Sequence, residues 1–360
     1  MKIVHIFKDF YPPLAAGITC YLADVSDELA RRGHQVDVHV AGVRHSRRDR
    51  LASSVVVHRH RELARVLSMP ISPGLVREMR GIEADVVHVH MPNPIGELGA
   101  LLSKSPLVCT FHAQLVRQKA LEPLYGPMRT KLLRRATSVL VSSAAMTKVP
   151  ELAPVAGNVE ILPFGVSPRL ISPVRVNRVS SEVLRLLFVG RLVYYKGLDV
   201  LLRAVALVED VTLDVVGEGP ERHALESLTD ELGIRKRVSF RGYVDDDALR
   251  ETYGTADVFV LPSSSRAEAF GMAMSEAMAN GLPAISTALR TGTDWVNVDA
   301  VTGLVVPAGD SRALADAVER LRDPHLRHVL AMGARDRADA LFGFASHVDE
   351  LERVYREAAR

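Results

Sequence analysis

Glu268 and Glu276 stand eight residues apart in the segment EAFGMAMSEAMANGLPAIST. If the whole span is helical, about 1.5 Å of rise per residue separates them by roughly 12 Å. Hydrolases need two carboxyl groups roughly 5 to 9.5 Å apart, so this pair is too widely spaced for that chemistry. The spacing suits a ligand with hydroxyl-bearing rings at both ends and phosphates between them, as in a nucleotide sugar. Two carboxylates at an exposed helix start are the structural alternative.

The entrance of the helix in this segment is a candidate anion site. Unpaired N–H groups and the positive end of the helix dipole meet there. A phosphate would lie near Phe270 to Met272, where Gly271 lets a ligand approach the backbone. Gly281 and Pro283 predict the end of the helix.

A second group of candidate residues follows the predicted strand that runs from Leu184 to Gly190. Arg191 leaves the strand end and Lys196 comes five residues later, just before a predicted helix. Arg as a planar fork and Lys as a point charge could together hold a diphosphate. Two solvated loop cations are the alternative. Near the amino terminus, Gly17 either lets a substrate pass over its loop or serves only in a turn.

The length and composition predict a globular protein with two domains of ordinary size. The chain has 360 residues, of which 48% are hydrophobic. No apolar run approaches the roughly 18 to 20 residues that span a bilayer, and the first residues predict a strand rather than a signal peptide. Cys20 and Cys109 are far apart and have no metal-ligand spacing. We therefore expect reduced cysteines and a cytoplasmic location.

Alternating strands and helices predict a doubly wound parallel sheet in each half of the chain. Six short apolar runs in the first half have the character of buried strands, and the pattern restarts at Leu184. We predict a first domain over 1–168, a second over 183–340, and a helix over 341–360 that returns to the first. Two such domains imply a cleft with ligands at the carboxyl ends of the strands.

Several motifs together resemble the retaining family 4 glycosyltransferases of the GT-B fold. They are Pro-Pro-x-x-x-Gly after the first strand, Thr110-Phe111-His112, VGRLVYYKGLDVLL, VGEGP, and PSSSRAEAFGMAMSEAMANGLP. The resemblance covers nearly the whole chain, and the two glutamates combined with the Arg and Lys element are highly specific.

The resemblance assigns roles to residues. It implies that Arg191 and Lys196 hold the donor diphosphate, that Glu276 binds the ribose hydroxyls, and that Glu268 meets the transferred sugar together with the N–H groups of Ala269, Phe270 and Gly271. His112 and Gly17 would line the sugar and acceptor side. The resulting set has catalytic candidates Arg191, Lys196, Glu268 and His112, and donor-binding candidates Gly17, Gly190, Arg191, Lys196, Ala269, Phe270, Gly271, Met272 and Glu276.

The donor remains open on the sequence. Arg266, Ala267 and the segment TALRTGTDWVN depart from the commoner family pattern. The chain is most similar to enzymes of surface-polysaccharide assembly, several of which use GDP-mannose, while UDP-hexoses remain alternatives. We expect a nucleotide-sugar co-substrate, no cofactor and no metal ion, and a glycan, lipid-linked or small-molecule acceptor.

Two other patterns invite a metal assignment. Asp245, Asp246 and Asp247 precede a predicted helix, which favours carboxylates at a helix start over a metal-binding Asp-x-Asp. The pairs His58 with His60 and His88 with His90 fit one face of a strand, but the sequence shows no third ligand near either pair. We expect hydrogen-bonded histidines there.

The charge is unevenly distributed along the chain. Residues 1–180 carry 24 Lys or Arg against 14 Asp or Glu, and the remainder carries 21 against 29. We expect a basic amphipathic surface in the first domain that meets anionic lipid, unless its apolar face packs on the sheet. Its cations are Arg44, Arg47, Arg48 and Arg50 in one loop, and Arg117, Lys119, Arg129, Lys131, Arg134 and Arg135 along a later stretch.

The sequence therefore predicts a metal-independent retaining glycosyltransferase that acts in the cytoplasm or at the inner face of the membrane, and that does not bind nucleic acid. Two alternatives remain. A sugar-nucleotide epimerase on the same fold would need a catalytic acid and base in the first domain. A non-catalytic nucleotide-sugar-binding protein would not need Arg191, Lys196, Glu268 and Glu276 together.

Overall fold

A computed structural model describes residues 1–11, 17–51, 53–66, 69–113, 122–172 and 183–360. The chain divides into two compact units. Unit 1 comprises Met1–Phe164 and Ala345–Arg360, and unit 2 comprises Gly165–Phe344. Within the described residues, no helix has the length and apolar character needed to cross a membrane.

Unit 1 is built on an eight-stranded sheet with helices on both faces. The strand order is β10-β9-β8-β7-β1-β2-β4-β3, and every pairing is parallel except that of β3 with β4. Its elements are β1 (Lys2–Ile6), α1 (Gly17–Arg31), β2 (Gln35–Val43), β3 (Arg47–Arg50), β4 (Val56–Arg61), a hairpin of β5 (Ala64–Val66) and β6 (Met69–Ile71), α2 (Pro73–Arg80), β7 (Val86–Met91), α3 (Pro94–Leu102), β8 (Leu107–Phe111), α4 (Glu122–Arg135), β9 (Ser138–Val141) and β10 (Val159–Ile161).

Unit 2 contains a six-stranded, wholly parallel sheet of order β13-β12-β11-β14-β15-β16. Its elements are β11 (Leu184–Val189), α5 (Leu198–Leu207), β12 (Val211–Val216), α6 (Arg222–Glu231), β13 (Val238–Gly242), α7 (Asp246–Thr255), β14 (Val258–Leu261), α8 (Met272–Ala279), β15 (Ala284–Thr287), α9 (Gly292–Val296), β16 (Gly303–Val306), α10 (Ser311–Arg320) and α11 (Pro324–Leu341).

The final helix, α12 (Phe344–Ala358), follows α11 after a short break. From Ala345 onward it belongs to unit 1, where Arg353 forms an ion pair with Glu160 of β10 at 2.6 Å. Its Glu352 accepts from the His34 ring at 2.7 Å. These contacts join the last residues of the chain to the first sheet.

The two faces of the unit 1 sheet differ in polarity. Val4, Ile6, Val87 and Val89 pack with Leu75 and other apolar residues of α2, α3 and α4. Because side chains alternate along a strand, His5 and His88 lie on the opposite face. There His88 contacts Tyr355 of α12 at 2.6 Å. The polar face is therefore the one that the carboxyl-terminal helix covers.

The structure confirms the predicted fold class of two parallel-sheet domains. Asp245 caps α7 by accepting a hydrogen bond from the Ala248 N–H at 2.9 Å. One prediction is wrong. Arg47, Arg48 and Arg50, expected in a loop, lie on β3, which pairs antiparallel with β4. Its sequence, RRDR, has no apolar residue, and the strand is held by its ladder with β4 and by polar contacts such as that of Arg59 with Asp49 at 2.8 Å. Residues 173–182, which precede the predicted second domain, lie outside the described residues.

Candidate active site

Lys196 and Glu268 form a close ion pair at the carboxyl edge of the unit 2 sheet. Lys196 closes a 3-10 turn (Tyr194–Lys196) that follows β11, and Glu268 lies in the loop after β14. The ammonium Nζ is 2.6 Å from Glu268 Oε2, and only 13% and 10% of the two side chains are exposed. Ser263 donates a second hydrogen bond to Glu268 Oε2 at 3.2 Å. Neighbouring strands β11 and β14 thus deliver two predicted site residues to one point.

The ion pair keeps Lys196 charged in spite of its burial. Removal from water alone would lower the pKa of this ammonium, but the facing Glu268 carboxylate outweighs that effect and the pKa is raised. Lys196 is therefore a fixed positive charge with little access to solvent. Such a charge interacts strongly with an incoming anion because water screens it poorly.

Glu276 lies on α8 and is held by a buried tyrosine. Tyr253 of α7 donates to Glu276 Oε2 at 2.7 Å, and its ring is fully buried. Burial raises the pKa of Glu276, while the tyrosine hydrogen bond acts in the opposite direction. One carboxylate oxygen is thus fixed by the protein.

Helix α8 begins at Met272, so the span from Glu268 to Glu276 is not wholly helical and the spacing of roughly 12 Å deduced from helical rise does not apply. Gly271 occupies the position before the helix with φ of +84°, a left-handed conformation. A Cβ on it would lie 2.8 Å from Leu261 Cδ2. Glycine is thus required by the backbone and the core at this turn, whether or not a ligand approaches it.

The anion site at the entrance to α8 stays a prediction. No side chain of the described residues caps its first N–H groups. Phe270 and Gly271 are buried, while Ala269 and Met272 are partly exposed. The carbonyl of Ala269 accepts from Gly292 N at 2.9 Å, which fixes the loop before the helix.

Arg191 and Gly190 differ in exposure and contacts from the buried ion pair of Lys196 and Glu268. Arg191 is exposed and, within the described residues, takes part in no ion pair. Gly190 lies beside the lysine, since a Cβ there would be 3.4 Å from Lys196 Nζ. The structure thus brings Gly190, Lys196 and Glu268 into contact and leaves Arg191 directed to solvent.

In unit 1, His112 follows β8 at the carboxyl edge of the sheet and is buried. Its Nε2 contacts His90 Nδ1 at 3.0 Å, and His90 Nε2 contacts His5 Nδ1 at 3.1 Å. The Nδ1 atom of His112 is buried and has no hydrogen-bond partner among the described residues. Burial, with a smaller contribution from Lys8, lowers the pKa of His112 to about 3. His112 is therefore a neutral hydrogen-bonding group at neutral pH.

Gly17, the other predicted site residue of unit 1, is exposed at the first position of α1. Residues 12–16, which complete the predicted Pro-Pro-x-x-x-Gly loop, lie outside the described residues.

The expectation that no third ligand approaches the histidine pairs is wrong. His5 of β1 joins His88 and His90, and His39 of β2 joins His58, because each comes from a neighbouring strand. The expected hydrogen bonds are present: His88 contacts Tyr355 and Thr110, at 2.6 and 2.7 Å. Sequence spacing reveals which histidines share a face of one strand. Histidines that meet across neighbouring strands are set by the order and register of the strands in the sheet.

The expected amphipathic basic surface is also partly wrong. Tyr125, Leu132 and Leu133 are buried in the sheet-facing core, so the apolar side of α4 packs on the sheet. Arg129 is 4% exposed and pairs with Glu122. Arg135 donates to the carbonyls of Ala100, Leu101 and Ser105. The remaining exposed cations of α4 are Lys131 and Arg134, and Arg117 and Lys119 lie outside the described residues.

Comparisons with known proteins show the family of the chain and its fold. The family model "Glycosyl transferases group 1" matches residues 175–337, and the model "Glycosyltransferase Family 4" matches residues 15–170. The chain is 28% identical to O-antigen chain mannosyltransferase C of Escherichia coli, over 99% of this chain and 98% of that one. It is 30% identical to D-inositol 3-phosphate glycosyltransferase of Corynebacterium diphtheriae, over 96% and 90%. The structure of sucrose-phosphate synthase from Thermosynechococcus elongatus is similar, with a TM-score of 0.82, 24% identity, and coverage of 99% and 98%.

Proposed function

Because the chain belongs to the group 1, or family 4, glycosyltransferases and has the GT-B fold, we propose that it is a retaining hexosyltransferase that uses a nucleotide diphosphate sugar. The acceptor is a hydroxyl group of a growing glycan or glycolipid. The observation that supports this most directly is the Lys196–Glu268 ion pair beside Gly190 and the uncapped start of α8.

The proposed roles follow from the charges and their positions. Lys196 and Arg191 bind the diphosphate, the first as a buried charge and the second as an exposed, mobile guanidinium. Glu276, with one oxygen held by Tyr253, accepts hydrogen bonds from the ribose hydroxyls through the other. The N–H groups of Ala269, Phe270 and Gly271 meet the sugar and its phosphate at the start of α8.

When the donor binds, its diphosphate replaces Glu268 as the partner of Lys196. In the structure the ammonium faces Glu268. A diphosphate offers it a second anion, and Glu268 can then accept a hydrogen bond from a hydroxyl of the transferred hexose. The barrier to transfer lies in separating an oxocarbenium-like sugar from an anionic diphosphate. Cations that are already in place at that leaving group are expected to supply the largest stabilising contribution.

We further propose that transfer needs no metal ion, because Lys196 and Arg191 supply the charge that a divalent cation supplies elsewhere. Turnover in the presence of EDTA should therefore match turnover in its absence. Complete loss of activity on chelation, with recovery on addition of Mn²⁺ or Mg²⁺, would contradict this proposal.

GDP-mannose is the proposed donor, with UDP-glucose and UDP-N-acetylglucosamine as the alternatives. The support is the mannosyl transfer in the name of the Escherichia coli relative. The same name refers to an O-antigen chain, and that of the Corynebacterium relative to D-inositol 3-phosphate, so glycan and small-molecule acceptors both warrant testing.

The test incubates the protein with each of the three donors and with mixed acceptors, and measures nucleotide diphosphate release and glycoside formation. We expect a product whose anomeric configuration, read by NMR, is that of the donor. An inverted product would contradict the retaining mechanism. Conversion of the nucleotide sugar to its epimer without transfer would support the epimerase alternative, and tight binding without any product would support a non-catalytic protein.

A further inference from the structure

A second cluster of metal-ligating side chains lies in unit 1, on the face of the sheet that α2 covers. His39 of β2 stands opposite His58 of β4 in the parallel register, and the two imidazole rings stack with centroids 4.2 Å apart. Glu78 comes from α2. One potential ligand atom of each of these three residues lies within 4.8 Å of those of the other two.

Polar groups lie beside both imidazoles, and a hydrogen bond orients that of His39. His39 Nδ1 is 3.1 Å from His60 Nε2, so donation of that proton to His60 leaves a lone pair on His39 Nε2. His58 Nε2 is 3.6 Å from Asp37 Oδ1. Partners of this kind fix the orientation of metal-binding histidines.

The cluster is open to solvent on one side. Glu78 is exposed, and His58 and Glu78 line two adjoining surface clefts of about 640 and 310 Å³. An ion would thus have an entry path. The charges near the cluster are of both signs. Asp37, Glu78 and Glu83 would favour a cation. Lys2 would oppose it, as would Arg48, whose Nη2 is 3.4 Å from His58 Nε2, and the three other arginines that line the larger cleft, Arg47, Arg59 and Arg77.

The other histidine cluster does not have these properties. His5, His88 and His90 also lie within ligand distance of one another, but they are fully enclosed imidazoles without a carboxylate in the group. Both ring nitrogens of His88 and of His90 contact neighbouring side chains. A metal ion there would have to break those contacts and bring its charge into a dry interior. That cluster is a hydrogen-bond network.

We propose that His39, His58 and Glu78 bind a divalent transition-metal ion, for which Zn²⁺ is the best match. Two imidazoles and one carboxylate form a donor set that Zn²⁺ takes up in four-coordinate sites, and Asp37 or a water molecule would complete the coordination. The ion would join β2, β4 and α2. His39 aligns with Ile6 rather than with His5, so this site lies on the opposite face of the sheet from the network that ends at His112. Its role is to stabilise unit 1, separate from sugar transfer.

The first test uses the full-length protein, stripped of metal with EDTA and desalted. Calorimetric titration with Zn²⁺ should show one ion bound per chain, and Zn²⁺ should raise the Tm, because an ion that binds only the folded state stabilises it. Titration with Co²⁺ should give the visible absorption bands of a tetrahedral complex. Absence of stoichiometric Zn²⁺ binding would overturn the proposal.

Variants then assign the site. His58→Asn and Glu78→Gln should each weaken Zn²⁺ binding by about tenfold or more, since even partners of metal ligands contribute roughly 10- to 100-fold. Arg48→Ala should strengthen binding, because it removes a competing charge. The matched controls are Glu83→Gln, which changes the local charge but no ligand, and His328→Asn, an exposed histidine of unit 2.

Glu78 is exposed, so Glu78→Gln is expected to fold even if His58→Asn does not. Wild-type affinity for Zn²⁺ in Glu78→Gln would overturn the assignment. Losses of Zn²⁺ affinity in both controls that equal those in His58→Asn and Glu78→Gln would overturn it as well. Glycosyl transfer measured on the stripped protein well below its Tm should be unchanged. Loss of transfer there would instead contradict the metal-independent mechanism, so the two proposals fail separately.

Discussion

The charge of Lys196 is balanced by Glu268 before any ligand binds, so each residue depends on the other. Removing one partner of a largely buried pair leaves the other uncompensated, which is costly to the folded state. Substitutions at these two positions therefore require a check of folding. Arg191 is exposed and serves as the simpler probe of leaving-group stabilisation.

Arg191→Ala and Lys196→Ala should each lower turnover by roughly a hundredfold or more, because loss of one preorganised charge partner typically costs about 3 kcal/mol of transition-state stabilisation. Steady-state kinetics with the preferred donor measure the effect, and circular dichroism tests the fold. Arg203→Ala, which removes an exposed cation of α5, is the matched control and should keep wild-type turnover. Wild-type turnover in the Arg191 variant would remove that residue from the mechanism.

Glu276→Ala should mainly raise the KM for the donor, because a ribose contact acts equally in the ground and transition states. Glu268→Ala should lower turnover as well. Tyr253→Phe removes the hydrogen bond that fixes Glu276, and should raise the KM in the same direction but less. Tyr243→Phe, at an exposed tyrosine of unit 2, is the control. Unchanged nucleotide affinity in Glu276→Ala would contradict the ribose assignment.

The sequence was sufficient to propose Lys196, Glu268 and Glu276 as site residues, an assignment that stays a prediction, but not to find the groups that contact them. Tyr253 lies 23 residues before Glu276 on another helix, and Ser263 meets Glu268 across a loop. His90 and His5 reach His112 only because β7 lies between β8 and β1 in the sheet. Such partners depend on strand order, which local spacing does not encode.

At the scale of the elements, Arg135 holds the end of α3. Its guanidinium donates to three backbone carbonyls, of Ala100, Leu101 and Ser105, at 2.9 to 3.0 Å. The last carbonyls of a helix need such partners. Arg135 is therefore a structural residue rather than a free surface charge.

Arg135→Ala should lower the free energy of unfolding by about 2 kcal/mol, the scale of hydrogen bonds to charged groups. Arg134→Ala, one position away and exposed, should change it by less than about 0.5 kcal/mol. Urea denaturation of both variants measures the difference. Equal stability of the two variants would show that the contacts of Arg135 contribute little.

Helices and buried strands were predictable from the sequence because apolar periodicity determines which residues face the core. Leu198, Leu201, Leu202 and Val205 of α5 follow this periodicity and are all buried. The elements that the sequence did not reveal are short or charged. Strand β3 is entirely polar, and β10 has only three residues, too few for its alternation of apolar and polar residues to mark it as a strand.

At the scale of the molecule, the buried histidines predict a loss of stability in acid. Burial lowers the pKa of His5 to about 3 and that of His347 to about 4, and His112 behaves in the same way. Between these values and about 6.5, the unfolded chain binds protons that the folded chain excludes. Stability therefore falls as the pH drops below about 6.5, by about 1.4 kcal/mol per pH unit for each such histidine.

Glu97 acts in the opposite direction. Burial raises its pKa to about 7, so its protonation favours the folded state in the same range. Burial raises the pKa of Glu276 as well, but more histidines than carboxyls are shifted, so a net loss remains. Urea denaturation at pH 7.5, 6.0 and 5.0 should give a decreasing free energy of unfolding. A constant or increasing value would mean that these imidazoles are not held neutral.

We propose that the excess of cations in unit 1 gives weak association with anionic lipid. Because the apolar side of α4 packs on the sheet, only the exposed cations can take part. Lys131 and Arg134 of α4 and the cations of β3 remain available. Each engaged cation contributes about 1 kcal/mol. Reversal of Lys131 and Arg134 to Glu should reduce co-sedimentation with anionic vesicles at low salt, and added salt should abolish it.

Reversal of Arg235 and Lys236, two exposed cations of unit 2, is the matched control for vesicle binding and should have a smaller effect. Failure of the wild type to bind anionic vesicles at low salt, with full activity on a soluble acceptor, would favour a soluble glycan or small-molecule acceptor.

The charged strand β3 also affects how copies of this protein meet in concentrated solution. It forms one margin of the unit 1 sheet, and its Arg47, Arg48 and Arg50 are exposed. An open sheet margin offers unpaired backbone groups that can recruit a strand from another molecule, and a row of like charges repels an identical row. At the other margin β10 has only three residues, and α12 is tied to it through Glu160. Both edges of the sheet thus oppose edge-to-edge polymerisation. Charge repulsion acts at β3, and the short length of the strand acts at β10.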